Sequence, residues 1–246
     1  MKLVLLGTAG YHPSDTRQTA CLLLPELGIV LDAGTGMYRV GEYLTTDRLD
    51  IFLTHSHLDH IVGLTYLFDV IAGRTIEPIT IHGAGEKLAA IREHLFSELI
   101  FPVMPPCQFV PLTGPVPLAG GGRLDYFPLE HPGGTLGFRL DWPGHSLAYV
   151  TDTIARVDAP YVERIRGVDL LVHECNFPDA QADFAEQTGH SWTTAVAQVA
   201  RAAKVGHLML VHINPLATAA DPVGLATARA IFPKTDLGHD RLVVEF

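Results

Sequence analysis

The run His55-Ser56-His57-Leu58-Asp59-His60 places four potential metal ligands within six residues. It follows the apolar stretch Ile51-Phe52-Leu53-Thr54, part of a strand expected over Asp50–Thr54, and leads into a helical pattern over Leu58–Ala72. His55 and His57 alternate along an extended turn, so both can reach one ion, whereas Asp59 and His60, entering the helix, face a neighbouring position. Imidazole nitrogens joined by a few carboxylate oxygens suit zinc, and manganese or iron can occupy similar sites. The competing reading is a solvated polar turn.

The rest of the chain repeats the theme of an apolar strand that ends on a residue able to bind metal. Tyr126-Phe127-Pro128-Leu129-Glu130 runs into His131, and Leu147-Ala148-Tyr149-Val150-Thr151 into Asp152. Leu170-Leu171-Val172 ends at His173, and Leu208-Met209-Leu210-Val211 at His212. Rigid scaffolds present reactive groups at strand ends beside loops, so one shared rim is expected. Further strands are expected over Lys2–Leu6, Ala20–Leu24, Ile29–Asp32, Ile79–His82, Arg123–Leu129, Leu136–Leu140, Ser146–Thr151, Asp169–Val172, His207–Val211 and Arg241–Phe246. Helices are expected over Gly85–Leu99, Thr193–Ala203 and Pro222–Ile231. Strands interspersed with helices indicate mixed α/β layers. No repeat, low-complexity tract or linker divides the chain, so a single domain over residues 1–246 is expected.

Composition narrows the class. With 246 residues, 48% hydrophobic and 18% charged, the chain suits one domain with a large core. No apolar run approaches the roughly 18 residues that cross a bilayer. The opening Met1-Lys2-Leu3-Val4-Leu5-Leu6-Gly7 is short for a signal peptide and reads as a buried strand, so the cytoplasm is expected and no membrane partner. Cys21, Cys107 and Cys175 stand far apart with no CxxC pair, so they read as isolated buried thiols and suggest neither a cysteine-rich zinc site nor a disulfide framework. A net charge of −10 opposes nonspecific binding to nucleic acid, while leaving room for a local cationic site made by metal ions.

These residues resemble the metallo-β-lactamase superfamily, and within it the ribonuclease Z-like phosphodiesterase branch. The HxHxDH signature is matched by His55, His57, Asp59 and His60, and the later metal-binding positions follow in order at His131, Asp152 and His212. Leu6-Gly7-Thr8, Leu31-Asp32-Ala33-Gly34 and Gly137-Phe138-Arg139 add to the match. The resemblance implies an α/β fold, the αββα four-layer sandwich, with two divalent cations. His55, His57 and His131 would hold the first, Asp59, His60 and His212 the second, and Asp152 would bridge them. Asp32 reads either as a hydrogen-bond acceptor for a ligand imidazole or as a turn aspartate before Gly34. His12, His82, His94, His145, His207 and His239 belong to no motif and read as surface or core histidines, although His12 lies in the loop after the first strand.

Two cations about 3.5–4 Å apart can deprotonate a shared water and neutralise charge on attacking and leaving oxygens, which suits phosphodiester hydrolysis. The resemblance gives Asp59 a proton-acceptor role, makes His190 of Gly189-His190-Ser191 the general acid, and makes Glu174 of His173-Glu174 the partner that orients it. Cys175-Asn176 follow here where relatives usually carry Ala-Thr, which is a departure from the pattern. Members that process tRNA carry a long arm between the positions of His131 and Asp152, and this chain has no room for it. A small cyclic or nucleotide phosphodiester is therefore the expected substrate, and tRNA is disfavoured. The alternatives are a carboxylic ester, thioester or lactone hydrolase of the same fold, or a noncatalytic metal-binding module. Relatives often form homodimers, and no segment here marks an interface.

Overall fold

Continuous apolar runs become two seven-stranded sheets, one in each of two units. The computed structural model describes residues 1–246. The first unit comprises Met1–Gly114 and Asp240–Glu245, the second Pro115–His239 and Phe246.

In the first unit the strands are β1 (Lys2–Gly7), β2 (Cys21–Leu24), β3 (Ile29–Leu31), β4 (Leu49–Phe52), β5 (Ile79–Gly83), β6 (Gln108–Pro111) and the last strand of the chain, β14 (Leu242–Glu245). They lie in the order β14-β1-β2-β3-β4-β5-β6. Pairing is antiparallel from β14 to β3 and parallel from β3 to β6. β2 and β3 are buried at every residue, so they read as unbroken apolar runs rather than alternating ones. One face of the sheet, including Leu23, Val30, Ile51 and Ile81, packs against Met37, Leu64, Leu67 and Ile91 of the covering helical segments. Burial of each such side chain stabilises the unit by about 1.5–3 kcal/mol.

The helix expected over Leu58–Ala72 is broken into α2 (Leu58–Ile61) and α3 (Leu67–Val70) after α1 (Val40–Tyr43), with a tight turn over Val62–Tyr66 between them. The cause is a competing acceptor. Gly63 donates its N–H to Ala33 O at 2.8 Å, outside its own helix, so the ladder cannot continue. The helix expected over Gly85–Leu99 is α4 (Gly85–Ala90) followed by a wide π turn over Ile91–Leu95, and Leu99 lies 96% exposed beyond it.

In the second unit β7 (Val116–Leu118), β8 (Gly122–Leu129), β9 (Thr135–Trp142), β10 (His145–Val150), β11 (Leu170–Glu174), β12 (His207–Val211) and β13 (Thr235–Leu237) lie in chain order across the sheet. Pairing is antiparallel from β7 to β10 and parallel from β10 to β13. Ala148, Val150, Leu171 and Leu208 pack with Val196, Val199 and Ala200 of α7 (Thr193–Ala203), which follows α5 (Tyr161–Arg164) and α6 (Ala182–Thr188). The final helix, α8, spans Leu225–Ile231 and not Pro222–Ile231. Asp221 accepts the N–H groups of Gly224 and Leu225, and Gly224 takes a left-handed turn (φ +82°), so helical geometry starts only after it. No helix is long and apolar enough to cross a membrane.

Candidate metal centre

In each sheet most site residues lie at the ends of strands of the parallel half, apart from His131 after antiparallel β8 and His190 after the helical segment Ala182–Thr188. This is the edge where open α/β sheets present ligands. Asp32 after β3, Asp152 after β10 and His212 after β12 all have left-handed backbones, with φ of 59°, 51° and 57°. Such conformations in residues other than glycine cost about 1–3 kcal/mol each and gather at functional sites.

In the first unit Asp32 is fully buried and organises the motif. Its carboxylate accepts the Thr54 N–H at 2.8 Å, the Thr54 hydroxyl at 2.9 Å and His60 Nδ1 at 2.8 Å. Asp32 is therefore an acceptor for a candidate ligand imidazole as well as a turn residue. Because the Thr54 proton points at Asp32, its oxygen accepts from His55 Nδ1, 3.0 Å away. Both His55 and His60 thus carry their protons on Nδ1, which leaves Nε2 to ligate. The His55 ring lies 4.5 Å from that of His57 and 4.3 Å from that of His60, centre to centre. Asp59 Oδ2 sits 3.3 Å from His60 Nε2 and accepts the Tyr11 N–H at 2.8 Å. Two glycines permit this packing. A Cβ on Gly34 would stand 2.1 Å from Asp59 O, and one on Gly63 2.1 Å from Gly34 O.

In the second unit Asp152 stands between two histidines. Oδ1 lies 3.5 Å from His131 Nε2, and Oδ2 lies 3.4 Å from His212 Nε2. His131 Nδ1 donates to Gly189 O at 3.1 Å, so its Nε2 is again the ligating nitrogen, and burial holds this imidazole below its usual pKa. Gly189 has φ +77°, and a Cβ there would stand 3.2 Å from His131 Nδ1. His190 follows. Its ring lies 5.3 Å from that of His131 and 5.4 Å from that of His212, and its Nδ1 faces Glu174 at 3.2 Å. Asp152, His190 and His212 offer ligand atoms within 4.8 Å of one another.

Glu174 is fully buried and also accepts the N–H groups of Thr153 (2.6 Å) and Ser191 (3.1 Å). Burial opposes its charge, and the adjacent His190 ring overrides that, holding the carboxyl below the usual range. Ser191 in turn donates to Thr153 O at 2.6 Å and accepts the Ala155 N–H at 2.9 Å. Thr54 and Thr153 are site neighbours that motif reading missed, whereas Ser191 and Asn176 stood beside His190 and Glu174 in the sequence without a role assigned to them. His173 is a correction. It lies at a strand end as expected, yet it is fully buried, with Nε2 3.0 Å from the Tyr161 hydroxyl and Nδ1 2.8 Å from Glu174 O, and it joins no metal-binding group. Burial lowers its pKa.

A model of the beta-lactamase superfamily domain matches residues 28–213, and the chain belongs to that superfamily as one of its hydrolases. Among relatives, a ribonuclease Z of Trichodesmium erythraeum is 44% identical over an alignment covering 100% of this chain and 95% of its own. A ribonuclease Z of Acaryochloris marina is 32% identical, covering 98% and 96%. Solved structures share the fold. The metallo-beta-lactamase fold protein YhfI of Bacillus subtilis aligns with TM-score 0.79 at 19% identity over 99% of both chains. Human tRNase Z, short form, aligns with TM-score 0.75 at 24% identity over 100% of this chain and 99% of its own. The two sheets with their helices are those of the metallo-β-lactamase α/β sandwich, the fold class expected from the motif.

Proposed function

We propose that the chain is a dinuclear-metal phosphodiesterase acting on small cyclic or linear phosphodiesters. The observation that carries this reading is Asp152, whose two oxygens face different histidines and so suit a carboxylate shared by two cations. His55, His57 and His131 would hold one ion, and Asp59, His60 and His212 the other, with Asp152 between them. The donor set fits: five imidazoles, three of them with Nδ1 turned to an acceptor, and two carboxylates suit zinc, with manganese or iron as substitutes. When bound, the ions supply an activated water and positive charge for the reacting phosphate.

The chain's own groups do the rest. Asp59, held through Oδ2 by the Tyr11 N–H, takes the proton of the attacking water. His190 turns Nδ1 to the ionised Glu174, so Nε2 is the atom that delivers a proton to the leaving oxygen.

Curated relatives named ribonuclease Z support phosphodiester chemistry. The alignment with the Acaryochloris protein runs over 305 residues, longer than this chain of 246, so that relative has segments without a counterpart here. Between His131 and Asp152 the chain holds only β9, β10 and their turns. An apolar pocket of about 460 Å³ in the first unit, lined by Ser56, Leu58, Ile61, Ile91, His94 and Ile100 among others, suits the nonreacting part of a small substrate. The test is hydrolysis of bis(p-nitrophenyl) phosphate and cyclic nucleotides beside a panel of lactones and thioesters. Metal-dependent cleavage of the diesters is expected. Turnover of lactones or thioesters with the diesters left intact would overturn the reading.

A further inference from the structure

Three of the candidate ligand imidazoles share one arrangement: His55, His60 and His131 each give Nδ1–H to an acceptor, Thr54 Oγ1, Asp32 Oδ2 and Gly189 O. His212 differs from these three. Its Nδ1 lies 3.1 Å from Nδ2 of Asn176, a nitrogen that can only donate. The orientation of that amide is fixed independently, because the same Nδ2 donates to His212 O at 3.0 Å and a carbonyl can only accept. Asn176 is 5% exposed, so water offers little alternative. Its place is set by register: Glu174 of β11 pairs with Val211 of β12, and Cys175 donates its N–H to Val211 O. The clamp grips both ring and carbonyl of a residue whose backbone is itself left-handed.

We infer that Asn176 is a positioning residue that sets the tautomer of His212, and through it the affinity of the second metal position; this rests on the dinuclear reading above. With the amide donating, Nδ1 must be the acceptor, and the ring proton sits on Nε2, facing Asp152 Oδ2 at 3.4 Å. That tautomer cannot ligate through Nε2. Ligation requires the proton to move to Nδ1 and the amide to turn its oxygen toward the ring, which surrenders the bond to His212 O. The position served by His212 is therefore the weaker of the two. An acceptor at residue 176 would remove the conflict at the ring, at the expense of the bond to His212 O in the metal-free and metal-bound protein alike. Aspartate is nearly isosteric with asparagine and can only accept when ionised. Threonine offers a hydroxyl that can turn either way.

Two measurements test this. Nitrogen-15 NMR of the metal-free protein reports which ring nitrogen of His212 is protonated, with no substitution needed. Competition with a chelator gives stepwise zinc affinities for the wild type, Asn176→Asp and Asn176→Thr, with metal-free melting temperatures as the control for folding. The expected result is Nε2–H in the wild type, unequal zinc affinities, and about 10-fold or greater tightening of the weaker step in Asn176→Asp, since partners of metal-bound histidines typically change affinity 10–100-fold. Asn176→Thr should tighten in the same direction. A merely structural role predicts weaker binding at both positions, whereas a lower melting temperature alone follows from the lost bond to His212 O on either account. Nδ1–H in the metal-free wild type, or no tightening in Asn176→Asp, overturns the inference alone. A wild type with no second zinc overturns it together with the dinuclear reading.

Discussion

The Glu174 carboxylate answers to three groups at once: His190 Nδ1, the Thr153 N–H beside Asp152, and the Ser191 N–H. It therefore holds two loops as well as one ring, and Glu174→Gln should do more than disorient His190. A glutamine turns an NH₂ toward at least one of these donors, leaving a buried group unsatisfied at a cost of about 1–3 kcal/mol. A lower melting temperature is expected along with lost activity, and an unchanged melt would show that the loops do not depend on the carboxylate. His190→Ala should behave differently, because the ring only caps the network. It should fold and keep its metals, lose little rate on bis(p-nitrophenyl) phosphate, and lose about 10²–10⁴-fold on an alkyl or nucleoside diester whose leaving oxygen needs a proton. Equal losses on both substrates would mean that His190 grips the phosphate and does not protonate. The sequence made His190 and Glu174 legible through the His-Ser and His-Glu pairs. The contacts of Thr153 and Ser191 with Glu174 were not legible, because both are made through backbone N–H groups that any residue type carries. His173 shows the converse: its strand-end position resembled that of His212, but its ring meets Tyr161.

At the scale of elements, the motif and the Asp32 turn form one backbone-to-backbone unit. Ala33 donates to His60 O and Gly63 donates to Ala33 O, both at 2.8 Å, while Gly34 and Gly63 leave no room for a Cβ. Gly63→Ala should therefore push the Asp32 turn away from α2, lengthen the His60–Asp32 hydrogen bond, and lower both the melting temperature and metal retention. Normal stability and full metal content in that variant would show that the turn can yield. Periodicity predicted one helix over Leu58–Ala72 because its apolar spacing is helical, yet a hydrogen bond from Gly63 to a residue distant in sequence broke the ladder. The strands were more legible than the helices, since every expected strand is present with small shifts at its ends. The short strands β6, β7 and β13 and the short helices α5 and α6 carried too few apolar residues to stand out.

Across the whole molecule, a net charge of −10 and the absence of an inserted arm between His131 and Asp152 argue against a structured RNA substrate. Pre-tRNA should be cut poorly at low salt and high salt alike; efficient cleavage at the tRNA 3′ end would show that the arm is dispensable in this chain. The expectations about catalysis depend on a bridged pair of cations, so metal content is the most direct test of them. Purified protein should carry about two ions per chain, and Asp152→Ala should lose more than one, because a shared carboxylate supports both positions whereas a terminal imidazole supports one. A wild-type chain that stays metal-poor after supplementation with zinc or manganese, or an Asp152→Ala variant that keeps both ions, would contradict the account.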